Sequence, residues 1–153
     1  MTTTTKLVLF VHIATAITAI GPAYAFPILG RVFPKDRPVS VLKVYAKMER
    51  IITVGLIIML ATGIWLIWLE HLNENFGHQG WLNISLLVYA ALAVLGVSFN
   101  TPRIHKALKL TEQGDQESAN RILAPMDKIV GPILGVLGLL IIFLMVYKPF
   151  VTN

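Results

Sequence analysis

Four long stretches without a single Asp, Glu, Lys or Arg dominate this chain. They cover residues 7–30, 51–69, 81–100 and 129–147. Each holds about the 20 residues that a helix needs to cross a hydrocarbon core roughly 30 Å thick. The pattern predicts an all-α protein, a four-transmembrane-helix bundle that forms one integral membrane domain over residues 1–153.

The composition supports a membrane protein and excludes several other classes. Hydrophobic residues make up 56% of the chain and charged residues only 14%, which is outside the usual range of soluble domains. The absence of cysteine excludes disulfides, thiolate metal sites and thiol redox chemistry. A net charge of +5 in a soluble protein would suggest nucleic acid, but these cations flank the apolar stretches. We therefore expect the lipid bilayer, and no nucleic acid, as a partner.

The basic residues lie on one side of the predicted spans. Connection 31–50 holds six Lys and Arg and connection 101–128 holds five, whereas connection 70–80 holds none. Each terminus adds one, Lys6 and Lys148. By the positive-inside rule, connections 31–50 and 101–128 are cytoplasmic and both termini lie outside a prokaryotic-type plasma (inner) membrane.

The first stretch also resembles a secretory signal. Lys6 precedes the apolar run, and Ala23-Tyr24-Ala25 has the small-residue pattern of a cleavage site. Cleavage there would leave three spans and place the six cations of connection 31–50 outside, against the charge rule. We interpret the small residues as helix-packing positions in an uncleaved first span.

The two basic connections show helical periodicity and so predict short amphipathic cytoplasmic helices. The second helix is expected to begin near Val39 with Ser40 as its cap. A basic helix should follow Asn100-Thr101-Pro102, and Asp115 can cap a further short helix. We expect these segments to lie on the cytoplasmic leaflet. Glu49 and Asp127 would be neutralised by the cations that follow each of them in the sequence.

Small residues and a weak repeat indicate how the helices pack. Residues 48–52 (MERII) and 126–130 (MDKIV) are alike and lie 78 positions apart, which suggests two tandem two-span hairpins, with chance similarity as the alternative. Gly131, Gly135 and Gly138 form a small-residue ridge that permits close helix approach. Gly21-Pro22 and Gly131-Pro132 should bend the first and fourth helices.

His12 is the strongest candidate for a functional residue, because a titratable group inside a span is costly and marks either a site or a buried partner. It could bind haem iron or another metal, with its second ring nitrogen held by a hydroxyl such as that of Thr15. The alternative is an interhelical hydrogen bond. His71, Glu74 and His78 would share a helical face on the same side and could add metal ligands, or could belong to a solvated loop.

The tryptophans at the outer ends of the spans, Trp65, Trp68 and Trp81, are typical of an interfacial belt.

Several short motifs together resemble a known family, the predicted integral membrane proteins of unknown function numbered 2269. The motifs are Leu9-Phe10-Val11-His12, Gly21-Pro22 through Phe26-Pro27, Thr62-Gly63-Ile64-Trp65, Trp81-Leu82 and Asn100-Thr101-Pro102-Arg103. The resemblance covers essentially the whole chain and implies four spans without implying an activity.

A histidine early in the first span is also similar to the copper-resistance D family and to the membrane protoporphyrinogen oxidases. That similarity implies that His12 is a haem or metal ligand, and it implies no second ligand. From the topology alone, His71 is the best second ligand, because the second span runs outward and ends there. Neither the Met- and His-rich copper motifs nor a lysine within spans two to four is present.

Three functions follow as hypotheses. The first is a haem b or metal-binding bundle in redox or porphyrin handling, the second a non-catalytic accessory subunit or assembly factor of a larger membrane complex, and the third a small transporter. Other membrane protein subunits or further copies of the chain in a homo-oligomer could be partners.

Overall fold

The computed structural model describes residues 1–33, 37–72 and 79–149, and nearly all of them are helical. A 3-10 turn at Gly21–Tyr24 joins the first two helices, and π-helical segments occupy Val94–Asn100 and Met126–Val130. The regular helices are α1 (Thr3–Ile20), α2 (Ala25–Val32), α3 (Val39–Leu69), α4 (Gly80–Ala93), α5 (Thr101–Glu112), α6 (Gln116–Pro125) and α7 (Gly131–Tyr147).

These elements join into four continuous rods, each long and apolar enough to span a membrane. The rods are Thr3–Val32, Val39–Leu69, Gly80–Glu112 and Gln116–Tyr147, of 30 to 33 residues each. At 1.5 Å per residue each measures about 45–50 Å, well beyond the ~30 Å hydrocarbon core. The prediction of an all-α four-span bundle is confirmed. Much of the excess length lies at the end that carries connections 31–50 and 101–128, which we call the basic end.

The helical pattern changes beside three of the prolines in the rods. Pro22 lies in the 3-10 turn between α1 and α2, and Pro132 is the second residue after the second π segment. Pro102 is likewise the second residue after the first π segment. A proline lacks the amide donor and crowds the preceding turn, so a locally wider or tighter turn accommodates it.

Consecutive spans are the closest neighbours. Helix α1 packs along α3, and α4 packs along α7, which is the grouping expected of two hairpins. The hairpins meet near mid-span, where the Tyr89 hydroxyl on α4 donates to the Leu56 carbonyl on α3 over 2.8 Å. The internal sequence repeat itself stays a prediction.

Glycines mark the closest helix approaches, as their spacing predicts. A Cβ atom at Gly55 would lie 2.9 Å from Cβ of Ala19, where α1 crosses α3. A Cβ atom at Gly138 on α7 would lie 2.8 Å from Cγ2 of Ile20. Side chains larger than hydrogen cannot fit at these crossings without displacing a neighbour.

The basic end has a hydrophobic core of its own. Its buried residues come from α2, α3, α5, α6 and the second π segment: Phe26, Leu42, Tyr45, Ile104, Ala107, Ala119, Leu123 and Met126. The apolar faces of α5 and α6 therefore pack against protein. The expectation that these segments lie on the leaflet was wrong in this respect, because two short helices can cover each other and the projecting part of α3 at once.

Two predicted helix starts also differ from the structure. Helix α3 begins at Val39 as expected, but Pro38 is its N-cap and Ser40 lies inside the helix. Asn100 makes no side-chain capping bond, because the third rod continues without a break into α5. The Asp115 cap is confirmed: its carboxylate accepts from the Ser118 amide over 3.0 Å.

The three tryptophans do not share one environment. Trp65 and Trp68 are 53% and 74% exposed, as residues of an interfacial belt should be. Trp81 is only 5% exposed, and its indole Nε1 donates to Oε1 of Gln79 over 2.8 Å. Trp81 is therefore part of the interior packing at the start of α4.

Candidate functional site

His12 lies on α1 with its ring against α3. Its Nδ1 atom is 2.9 Å from the hydroxyl oxygen of Thr62. The next residue on α3 is Gly63, and a Cβ atom there would lie 3.1 Å from Cε1 of the imidazole. The missing side chain of Gly63 therefore leaves the space in which the half-buried His12 ring rests. The interhelical hydrogen bond that was one of the two alternatives for His12 is present.

The Thr62 hydroxyl has several partners besides His12. It lies within hydrogen-bond distance of the carbonyl oxygens of Ile58, at 2.8 Å, and Met59, at 3.1 Å, in its own helix. When its single proton is directed to one of these carbonyls, the hydroxyl oxygen can accept from Nδ1–H of His12. In that tautomer of the neutral imidazole, Nε2 is unprotonated and is the atom type that binds haem iron or another metal.

The hydroxyl beside His12 is not the one expected from the sequence. Thr15 donates to the carbonyl oxygens of Val11 and His12, both at 2.9 Å, within α1. Thr62 takes the predicted role instead. The sequence did contain an indication that Thr62 could pair with His12, because both residues lie at similar distances from the outer ends of the first and second uncharged stretches.

Of the other proposed ligands only His71 is described by the structure, and it is not brought to His12. His71 lies just past the end of α3 in a left-handed conformation (φ 55°), and its side chain is exposed. It follows Thr62 by nine residues, a rise of about 13 Å along a helix, whereas two ligands of one metal lie roughly 4 Å apart. Glu74 and His78 fall outside the described residues. Within 1–33, 37–72 and 79–149, no group of three His, Cys, Asp or Glu residues could hold a metal ion.

Two acidic residues at the basic end have partners that the sequence did not indicate. The Arg37 guanidinium donates to the Asp127 carboxylate, and the side chains are 4% and 13% exposed. The buried Glu49 accepts from the hydroxyls of Thr53, at 3.0 Å, and Thr101. The cations adjacent in sequence are therefore not the hydrogen-bond partners of these acids, because successive helical residues point about 100° apart and do not face each other. Neutralisation by these cations stays a prediction.

An open groove of about 560 Å³ runs between α1 and α3. It begins one turn from His12, at Thr15, and extends toward the basic end as far as Lys47 and Arg50. The His12 ring does not line it. The groove and the His12–Thr62 pair are therefore separate features of the same helix pair.

Four rods long and apolar enough to cross a membrane define a small polytopic α-helical membrane protein. The chain belongs to the family described as "Predicted integral membrane protein (DUF2269)", whose family model matches residues 6–149. The resemblance noted in the sequence is thereby confirmed over nearly the whole chain. No curated protein and no solved structure gives a significant match.

Proposed function

We propose that this membrane protein binds haem b through His12, in redox or porphyrin handling. The observation that carries the proposal is the hydrogen-bond distance of 2.9 Å between Nδ1 of His12 and the Thr62 hydroxyl oxygen. A ligating histidine normally donates its second nitrogen to a fixed acceptor, which sets the tautomer and orients the ring. Thr62 supplies that acceptor from a neighbouring span.

The number of ligands that the described residues offer favours haem over a bare metal ion. Structural zinc sites use four protein ligands and catalytic sites three. The described residues around His12 supply one imidazole, and no group of three metal-binding residues among them. Haem iron, in contrast, is held in several protein classes by a single proximal histidine. When bound, such a group would supply one-electron chemistry.

Each protein group has a defined part in this proposal. His12 presents Nε2, and Thr62 holds the ring through Nδ1. Gly63 leaves room for the ring at the surface of α3. Since the His12 side chain is only half-buried, part of the imidazole remains accessible.

The charge distribution supports a location in a plasma membrane of prokaryotic type with the basic end in the cytoplasm. Connections 31–50 and 101–128 carry eleven of the thirteen Lys and Arg residues. In that orientation both termini and His12 lie toward the outer face. The proposed site would then be in the outer leaflet half of the first span.

The test is an absorption spectrum of protein purified in mild detergent, with and without added haem. A Soret band is expected, and His12→Ala should abolish it while circular dichroism keeps the helical signal. Thr62→Val removes the acceptor of Nδ1 and should weaken haem retention by about 10- to 100-fold, the usual effect of losing a ligand-orienting partner. His105→Ala is the matched control, since His105 is exposed at the basic end. Protein that stays colourless after haem addition would contradict the proposal.

A second candidate is a non-catalytic accessory subunit or assembly factor. It is favoured by the same contact, because the Thr62 hydroxyl also satisfies His12 without any ligand. In that case His12→Ala should lower thermal stability, and other membrane subunits or further copies of the chain should co-purify with the unmodified protein. Colourless protein with defined co-purifying subunits would favour this candidate.

A further inference from the structure

The groove between α1 and α3 has a polar end and an apolar body. Lys47 and Arg50 line its end nearest the basic connections, and Ile51, Val54 and Ile58 line its length along α3. From the other side, Thr15 and Thr18 of α1 complete the wall. We propose that this groove is a binding site for one anionic phospholipid of the leaflet at the basic end.

The wall of the groove is effectively apolar despite its two threonines. Thr18 donates to the carbonyl oxygens of Ala14 and Thr15, both at 3.1 Å, within α1. Thr15 is bonded in the same way to its own helix. With the hydroxyl protons directed at the backbone, the surface offered along the groove consists mainly of methyl and methylene groups. Such a surface suits an acyl chain and offers little to a soluble polar ligand.

The length of the groove matches one leaflet. From Lys47 to Ile58, α3 advances eleven residues, a rise of about 16 Å. Half of a ~30 Å hydrocarbon core is about 15 Å. Arg50 directly precedes the uncharged stretch 51–69, so the two cations lie at headgroup depth when that stretch fills the membrane. An acyl chain in the groove therefore places its phosphate beside them.

Within the part of the chain that the structure describes, neither cation forms a salt bridge. Lys47 and Arg50 are both exposed. The salt bridges among the described residues involve Arg37, Lys43 and Arg121 and leave these two without an acidic partner. At Gly55, which lines the groove, the backbones of α1 and α3 approach closely, because a Cβ atom there would lie 2.9 Å from Cβ of Ala19.

Lipid selectivity in thermal melts tests the site. Protein in zwitterionic detergent is titrated with phosphatidylglycerol or phosphatidylcholine, and retained lipid is counted by native mass spectrometry. We expect phosphatidylglycerol to be retained and to raise the melting temperature more than phosphatidylcholine. The double variant Lys47→Gln/Arg50→Gln should bind it about 25-fold more weakly, since each juxtamembrane cation contributes about fivefold. Equal effects of the two lipids on the unmodified protein would overturn the proposal.

Matched variants separate a groove site from general attraction to a basic surface. Lys106→Gln/Lys109→Gln removes two exposed cations of the basic end that do not line the groove. Val54→Trp fills the groove, whereas Val136→Trp adds the same bulk on a lipid-facing side of α7. Loss of phosphatidylglycerol binding only in the two groove variants supports the site. Equal loss in the controls would mean diffuse attraction and overturn it.

A final arm distinguishes a lipid from a free anion. Inorganic phosphate and glycerol 3-phosphate carry the headgroup charge without an acyl chain. Neither should raise the melting temperature at concentrations where phosphatidylglycerol saturates its effect. A full shift with phosphate alone would overturn the lipid assignment. Because His12 does not line the groove, His12→Ala should leave lipid retention unchanged.

Discussion

The Tyr24 hydroxyl donates a hydrogen bond to the Gly135 carbonyl oxygen over 2.9 Å, across the boundary between the first and fourth spans. A Cβ atom at Gly135 would lie 3.3 Å from Cε1 of the same tyrosine ring. One turn along α7, Gly138 faces Ile20. The 3-10 turn of the first span therefore rests on the glycine ridge of α7, and the two hairpins are joined at this point.

The first prediction concerns this ridge. Gly138→Ala places a methyl group 2.8 Å from Cγ2 of Ile20, a branch close to the backbone that cannot easily move away. Overpacking of this kind costs about 1–3 kcal/mol, and the melting temperature in detergent should fall. Gly135→Leu should act in the same direction against the Tyr24 ring. Gly96→Ala is the control, because no atom of another part of the protein lies within 4 Å of its added Cβ. Equal melting of the Gly138 and Gly96 variants would show that the crossing is looser than described.

The second prediction concerns the buried ion pair at the basic end. Arg37 precedes α3, and Asp127 lies in the π segment before α7, with Gly30 of α2 packed against its carboxylate. Asp127→Ala leaves the Arg37 guanidinium buried without its counter-charge. Removing one partner of such a pair costs about 3–5 kcal/mol. We expect a large loss of thermal stability in detergent.

The double variant Arg37→Met/Asp127→Leu provides the control. It removes both charges together and keeps similar volume, so most of the lost stability should return. The hydrogen bond of Gln116 should be less affected than the ion pair, because the Gln116 side chain donates to the Arg37 carbonyl oxygen and not to the guanidinium. A double variant as unstable as Asp127→Ala would show that shape, rather than charge, dominates this contact.

Much of the fold could be predicted from the sequence, because a bilayer imposes length and polarity on every span. The four spans, the start of α3 at Val39 and the Asp115 cap all follow from local patterns. The contact face of Gly138 also follows, since glycines three or four residues apart in a helix permit close approach whatever the partner. These are features that a single helix determines on its own.

Features that depend on two helices were predicted less well. The sequence indicated a hydroxyl for His12 but not that Thr62, on another span, would provide it. It placed Trp81 in the interfacial belt, although the rotation of α4 buries that ring. Asp127 was paired with an adjacent cation because the 90-residue separation from Arg37 is not visible in a linear pattern. In each case the missing information was the rotation of one helix relative to another.

The third prediction concerns pH and the start of α6. Hydrogen bonds from Ser118 lower the pKa of Asp115 below its usual value of 3.8. A lowered pKa in the folded state means that the cap stabilises the protein above the unfolded pKa, and that this contribution is lost as pH falls through the lowered value. Asp115→Asn keeps a capping oxygen but does not titrate.

Thermal melts from about pH 6 down to about pH 2.5 should therefore differ between the two proteins. Both lose stability from their shared carboxylates, but only the unmodified protein has the additional loss from Asp115 in the acid range. The stability difference between them should shrink or reverse as pH falls below about 4. A difference independent of pH would show that the Asp115 charge does not contribute to the cap.

The last prediction concerns orientation in the membrane. The chain has no cysteine, so an introduced thiol is the only one present. Glu70 and Gln113 are both exposed and lie at opposite ends of the bundle, after α3 and after α5. If the basic end is cytoplasmic, as eleven flanking cations favour, Glu70→Cys should react with a membrane-impermeant maleimide on intact cells. Gln113→Cys should react only after the membrane is permeabilised. Both variants must label fully in detergent, which controls for thiol reactivity. The reverse labelling pattern on intact cells would place the basic end outside and move His12 to the cytoplasmic half of the membrane.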